Sequence, residues 1–296
     1  MKNILIIGAN GFTGRRILND LSVNPIYHVT GCSLRDDICP GKDYRFVRTD
    51  IRDENEVRKL FKECRPDIVI NTSALSVPDY CETHHAEAEA TNVPAVETIA
   101  HVCEQYGSRF IHLSTDFVFD GKSTRLYKEE DEAIPVNYYG VTKLKAEKII
   151  ASICSNYAIV RVVVVYGKAL PGQHGNILQL VANRLRNGET IRVVSDQWRT
   201  PTFVGDISVG VEKLMFHTAN GIYHICGSEC LTIAEIAYRV ADFLKLDRSL
   251  IEPVTTEEMK EVTPRPRFSG LSIEKAKAEI GYTPRTLEEG MEASLF

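Results

Sequence analysis

The sequence predicts an α/β fold, a doubly wound parallel sheet carrying a smaller α/β lobe. Three observations support this class. Short apolar runs alternate with amphipathic stretches through the first half of the chain. The first run, Asn3 to Ile7, passes directly into Gly8-Ala9-Asn10-Gly11-Phe12-Thr13-Gly14, and a helix pattern follows. A later run, Ala158 to Tyr166, is β-branched almost throughout, as expected of a strand covered on both faces.

The remaining elements follow in order. Strands are predicted at Tyr27–Ser33, Tyr44–Val47, Asp67–Asn71 and Arg109–Leu113, with a helix over Asp53–Cys64. A helical stretch covers His84 to Gln105, with a kink or break at Pro94. A helix opens near Tyr138, after Pro135. Beyond Tyr166 come a glycine-rich loop to Asn176, a helix at Ile177–Asn187 and a strand at Glu189–Val194. A helix over Phe203–Phe216 and a strand over Gly221–Cys226 return to the sheet, and Thr232 to Glu235 reads as a capping box. The division expected is residues 1–166 with 203–226 as the main domain, and 167–202 with 227–296 as the lobe.

Composition narrows the function. With 296 residues, 25% charged and 44% hydrophobic, the chain is long enough for a large core. Its net charge of −5 argues against a nucleic-acid surface. No apolar run approaches the ~20 residues of a membrane span. The eight scattered cysteines predict reduced thiols and a cytoplasmic protein, and no metal site is expected from their spacing.

The glycine loop between strand and helix lets the backbone turn sharply and approach a diphosphate, whose charge meets the helix N-terminus. Gly8, Asn10, Gly11, Phe12, Thr13 and Gly14 are therefore the first cofactor-binding candidates. The second strand ends Cys32-Ser33-Leu34-Arg35, without an acid that would grip a ribose 2′-hydroxyl. Arg35, with Arg15 or Arg16, could hold a 2′-phosphate, so NADP is expected, with NAD as the second choice. Asp50 and Ile51 at the third strand's end, and Ser73 and Ala74 after the fourth, complete this set.

Ligands bind outside the carboxyl ends of such strands, which brings Thr115, at the end of the fifth, toward Tyr139 and Lys143. The last two are four residues apart and share a helix face. A neighbouring ammonium favours a phenolate, so Lys143 is expected to lower the Tyr139 pKa and fit the pair for proton transfer.

The glycine loop, Ser114-Thr115-Asp116 and Tyr139-Gly140-Val141-Thr142-Lys143, in this order, resemble the extended short-chain dehydrogenase/reductases of the Rossmann type. Asp116 to Gly121, Val194-Ser195-Asp196-Gln197 with Pro201-Thr202, and Arg265-Pro266 with Ser269 and Leu271 are similar to the dTDP-4-dehydrorhamnose reductase family. The resemblance implies NAD(P)H-dependent reduction of a nucleotide-linked 4-keto sugar by a homodimer. Tyr139 would be the acid, Lys143 would bind the cofactor ribose, and Thr115 would bond the reacting oxygen. Substrate-binding candidates are Ser76, Thr115, Asn176, Gln197, Trp198 and Arg265. The chain departs from the family pattern at Phe117, Val164 and Trp198-Arg199, all expected near the sugar, and Trp198 is a candidate replacement for a lost aromatic wall. Two other functions remain open. One is a nucleotide-sugar epimerase or dehydratase, for which Asp116-Phe117 offers only one acid. The other is an NADP-binding regulatory subunit like that of methionine adenosyltransferase.

Overall fold

The computed structural model describes residues 1–41, 43–173 and 175–294. Strands β1 (Lys2–Ile7), β2 (Tyr27–Ser33), β3 (Arg45–Arg48), β4 (Ile68–Asn71), β5 (Arg109–Thr115) and β6 (Tyr157–Val162) alternate with helices α1 (Phe12–Ser22), α2 (Glu54–Cys64), α3 (Pro78–Thr83), α4 (His85–Asn92), α5 (Pro94–Tyr106) and α6 (Tyr138–Ile153). The second half holds β7 (Val165–Tyr166), α7 (Ile177–Arg186), β8 (Ile191–Val194), β9 (Trp198–Arg199), β10 (Thr202–Phe203), α8 (Val204–Phe216), β11 (Gly221–His224), β12 (Leu231–Thr232), α9 (Ile233–Leu244), β13 (Ile251–Val254), α10 (Thr256–Met259), α11 (Glu274–Ile280) and α12 (Leu287–Ser294).

The main sheet has seven strands in the order β11-β6-β5-β4-β1-β2-β3, and every pairing is parallel. Strand order reverses between β1 and β4, so their carboxyl ends open a crevice. Alternation along β1 sends Ile4 and Ile6 into a core with α1 and α8, and Leu5 and Ile7 into one with α2, α5 and α6. Burial on both faces explains the unbroken apolar runs. A third core gathers Tyr166, Leu178, Val181, Ile236 and Ile251. Two-stranded sheets β10-β7, β12-β9 and β13-β8 complete the architecture.

Several elements differ from the sequence expectation. The run from 158 to 166 is two strands, because Val164 adopts a left-handed conformation at φ 38°. The turned segment is held by Thr202, whose hydroxyl bonds the Val163 carbonyl at 2.6 Å and whose amide bonds that of Val164 at 3.1 Å. Tyr166 therefore pairs with Phe203 instead of continuing the main sheet. The stretch from 84 to 105 does break at Pro94 as expected, into two helices, because proline lacks the amide proton a continuous helix needs. Glu189 lies outside β8, its amide bonding the Arg184 carbonyl as part of the α7 C-terminus. The short helix α3, opened by Pro78, was absent from the sequence reading.

Candidate active site

The cofactor cleft starts from steric necessity. Gly8 sits at φ 83°, and a Cβ there would lie 2.7 Å from the Ser73 amide nitrogen. Only glycine lets the loop after β1 pass this close to the end of β4. Helix α1 then opens with no side-chain cap and no acid in its first turn, leaving its N-terminus suited to an anion.

A cleft of about 630 Å³ follows. Gly8, Gly11, Phe12, Thr13 and Gly14 form one wall, Ser33 and Arg35 the end of β2, Asp50 and Ile51 the end of β3, and Ser73, Ala74 and Ser76 the segment after β4. A tight backbone approach, an uncapped helix end and the exposed Arg35 fit an extended dinucleotide. Sequence reasoning missed Thr49, Glu87 and Thr91 in this lining. Glu87 and Thr91 share the i, i+4 spacing of one helix face, but spacing does not say which way that face points.

Four polar candidates have other roles. The Asn10 amide bonds the Arg35 and Asp36 carbonyls and accepts from Arg15 and the Ile38 amide, so it braces the loop and does not line the cleft. Arg15 is 3% exposed, paired with Asp37 and bonded to Tyr44 at 2.8 Å. Arg16 pairs with Asp20 at 2.7 Å and packs on Phe203. Neither arginine lines the cleft. Asp50 is held by Arg52 at 2.6 Å, which lowers its carboxyl pKa.

The proton-transfer candidates meet at the end of β5. Asn137 caps α6 by accepting from the Gly140 amide at 2.9 Å. A side chain at Gly140 would collide with the Phe117 carbonyl, so that glycine allows α6 to press against the turn after β5. There Thr115 Oγ1 accepts from the Phe117 amide at 3.2 Å and donates to Asp116 Oδ1 at 3.2 Å, while the Tyr139 ring packs on that of Phe117.

Lys143 is 1% exposed and turns toward β5, with Nζ 2.8 Å from His112 Nε2 and 2.7 Å from the Leu113 carbonyl. Neither Tyr139 nor Lys143 lines the cleft of about 630 Å³. The expected depression of the Tyr139 pKa is not found. Burial pushes the phenol up, Thr115 opposes this, and Asp116 reinforces it. Burial instead pulls the Lys143 ammonium down to about 8, against the attraction of Glu147. The adjacent Ser114 is structural, donating to Glu147, which also pairs with the buried Arg161.

A second cavity, about 470 Å³, includes Asp79, Phe117, Val164, Gln197, Arg199 and Arg265 in its lining. Gln197 is 2% exposed and bonded to Glu261 and Arg199. Arg265 spans Asp79 and Glu261 at 3.5 and 3.3 Å, and its Nε has no partner. Asn176 does not line this cavity: it caps α7 and donates to the Gly167 carbonyl at 2.8 Å. Trp198 is also absent from the lining. It is 39% exposed, while its strand neighbour Arg199 is buried toward Asp116. Alternation on β9 therefore puts the indole on the other face, and it cannot replace a lost wall. Burial raises the Asp116 pKa, with Arg199 and Ser269 opposing. Among the described residues no group of three or more His, Cys, Asp and Glu side chains is placed to hold a metal ion.

The sequence profile of the RmlD substrate binding domain matches residues 1–295. The chain belongs to the RmlD family. Among its relatives is the probable low-salt glycan biosynthesis reductase Agl14 of Haloferax volcanii, 30% identical over 97% of this chain and 95% of that protein. Another is methionine adenosyltransferase 2 subunit beta of Xenopus laevis, 31% identical over 96% of this chain and 84% of that one. A crystal structure of dTDP-4-dehydrorhamnose reductase from Bacillus anthracis in complex with NADP superposes with a TM-score of 0.87 at 27% identity, covering 100% of this chain and 99% of that one. The RmlD fold thus extends over both cavities.

Proposed function

We propose that the chain is an NADPH-dependent reductase of a keto group on a nucleotide-linked sugar, with dTDP-4-dehydrorhamnose as the first candidate substrate. One observation carries the reading: Tyr139 packs against Phe117, two residues beyond Thr115 at the carboxyl end of β5, in a sheet whose crevice also holds the glycine loop. The NADP-bound Bacillus anthracis reductase supports the choice of cofactor and substrate class.

Gly8, Gly11, Phe12, Thr13 and Gly14 would hold the diphosphate, and Arg35 a 2′-phosphate. When bound, NADPH supplies a hydride to the carbonyl carbon. Tyr139 supplies the proton to the carbonyl oxygen, and Thr115 Oγ1 orients that oxygen. Lys143, now held against β5 by His112 and the Leu113 carbonyl, would swing from them to bind the ribose. Arg265, with an unpartnered Nε, binds the sugar or its diphosphate. Gln197 and Arg199 keep that cavity's polar wall in place, and Ser76 faces the cofactor side.

The test is NADPH oxidation by the purified chain against dTDP-, UDP- and GDP-linked 4-keto sugars. Turnover of one of them is expected. NADPH binding without turnover of any would favour the second reading, a regulatory subunit. The 31% identity to methionine adenosyltransferase 2 subunit beta supports that alternative.

A further inference from the structure

Behind the cleft, three buried side chains admit only one consistent set of protons. Asn71, His112 and Lys143 are 0%, 0% and 1% exposed, so their polar atoms must find partners inside the protein. Asn71 Oδ1 lies 3.0 Å from the Ser73 amide nitrogen and 2.6 Å from its hydroxyl. A backbone N–H can only donate, which fixes the amide orientation. Asn71 Nδ2 consequently faces His112 Nδ1 at 3.1 Å and donates to it. With Nδ1 accepting, the proton of the neutral imidazole sits on Nε2. That N–H points at Lys143 Nζ, 2.8 Å away. Nζ can accept it only through a lone pair, which an ammonium lacks.

We propose that His112, its tautomer fixed by Asn71, is a positioning residue that holds Lys143 as a neutral amine against β5, and that Lys143 gains a proton as it engages NADPH. The second half rests on the function proposed above. The balance is simple: one solvent proton binds Nζ, and none leaves His112.

The surrounding charges agree. His112 faces Asn71 from β4 and Lys143 from α6, and burial beside the lysine holds its pKa well below the usual range. Burial likewise brings Lys143 down to about 8, so the neutral amine prevails above that pH. The carboxylate acting on Lys143 is Glu147, one turn along α6, already engaged by Arg161 at 2.7 Å and by Ser114.

The full chain, labelled with ¹⁵N-histidine, would be tested by long-range ¹H–¹⁵N spectra, with His112 assigned through its loss in His112→Gln. A neutral ring protonated at Nε2 is expected at pH 9, above the lowered Lys143 pKa. Asn71→Asp should move the proton to Nδ1, because a carboxylate accepts from both Ser73 and the imidazole. Calorimetric NADPH titrations at pH 8.5, in buffers of different ionisation enthalpy, should show net proton uptake by the native chain. In Asn71→Asp, where Nε2 can accept from an ammonium, uptake should fall severalfold. An Nδ1-protonated His112 in the native chain would overturn the proposal without any variant, and so would equal uptake in both proteins. Failure to bind NADPH would overturn the reductase reading and the uptake step, while the spectrum alone decides the tautomer.

Discussion

The ring of Tyr139 meets that of Phe117 edge to face, with centroids 6.0 Å apart and planes at 70°. The aromatic contact belongs to the enclosure that raises the phenol's pKa and keeps its proton on at neutral pH. Such a group is set to deliver a proton to a developing alkoxide. Tyr139→Phe keeps the ring contact and removes only the hydroxyl. Its kcat on an identified keto sugar should fall by about 10²–10⁴-fold, with NADPH affinity little changed. Steady-state kinetics and fluorescence titration check the two halves, and retained turnover would remove Tyr139 from the role of acid.

Arginines near the glycine loop should separate by function. Arg35 is exposed at the cleft, so Arg35→Ala should weaken NADPH binding by about 1.5–3 kcal/mol and leave NADH binding nearly unchanged. Arg15→Ala removes a buried cation from Asp37, Tyr44 and the Cys39 carbonyl. It should cost about 3–5 kcal/mol of stability, seen as a lower denaturant midpoint. Equal losses of NADPH and NADH affinity in Arg35→Ala would sink its assignment to a 2′-phosphate.

The two arginines also mark what a sequence can disclose. Gly8 was legible because the backbone leaves no alternative there: any Cβ would meet Ser73. Ser73 and Thr115 were legible because parallel strands deliver their carboxyl ends to one crevice. Arg15 and Arg35 look alike in sequence, and only the position of Asp37 separates the structural one from the exposed one. Asn176 reads as a polar group in a loop, yet its amide is consumed in capping α7. Val164 hid a left-handed turn inside a β-branched run, since valine is poorly suited to that conformation. The partner of Lys143 is a histidine 31 residues earlier. No helical period encodes that contact.

Glu147 and Arg161 form a second internal fastening. Both are at most 3% exposed and lie 2.7 Å apart, with Ser114 donating to the same carboxylate. Glu147→Ala would strand a buried guanidinium that already has one nitrogen without a partner. A loss of about 3–5 kcal/mol is expected, measurable by urea unfolding. A loss below ~1 kcal/mol, the scale of an exposed pair, would show that the pair is solvated.

Mild acid should destabilise the fold through its buried histidines. His224 is 0% exposed, its Nδ1 lies 3.1 Å from the Ser272 carbonyl, and its Nε2 has no partner. Burial, with Arg161 nearby, lowers its pKa to about 3. An unfolded histidine titrates near ~6.5, so below that pH the unfolded chain binds a proton that the folded chain refuses. The contribution is fully present above pH ~6.5 and is lost as pH falls toward 3, at ~1.4 kcal/mol per unit per histidine. His112 acts in the same direction. Urea unfolding at pH 7.5, 6 and 5 should show a falling free energy, with a shallower slope in His224→Gln by one proton's share. Equal slopes in the two proteins would mean that His224 is charged in the fold, contrary to its enclosure beside Phe119 and Arg161.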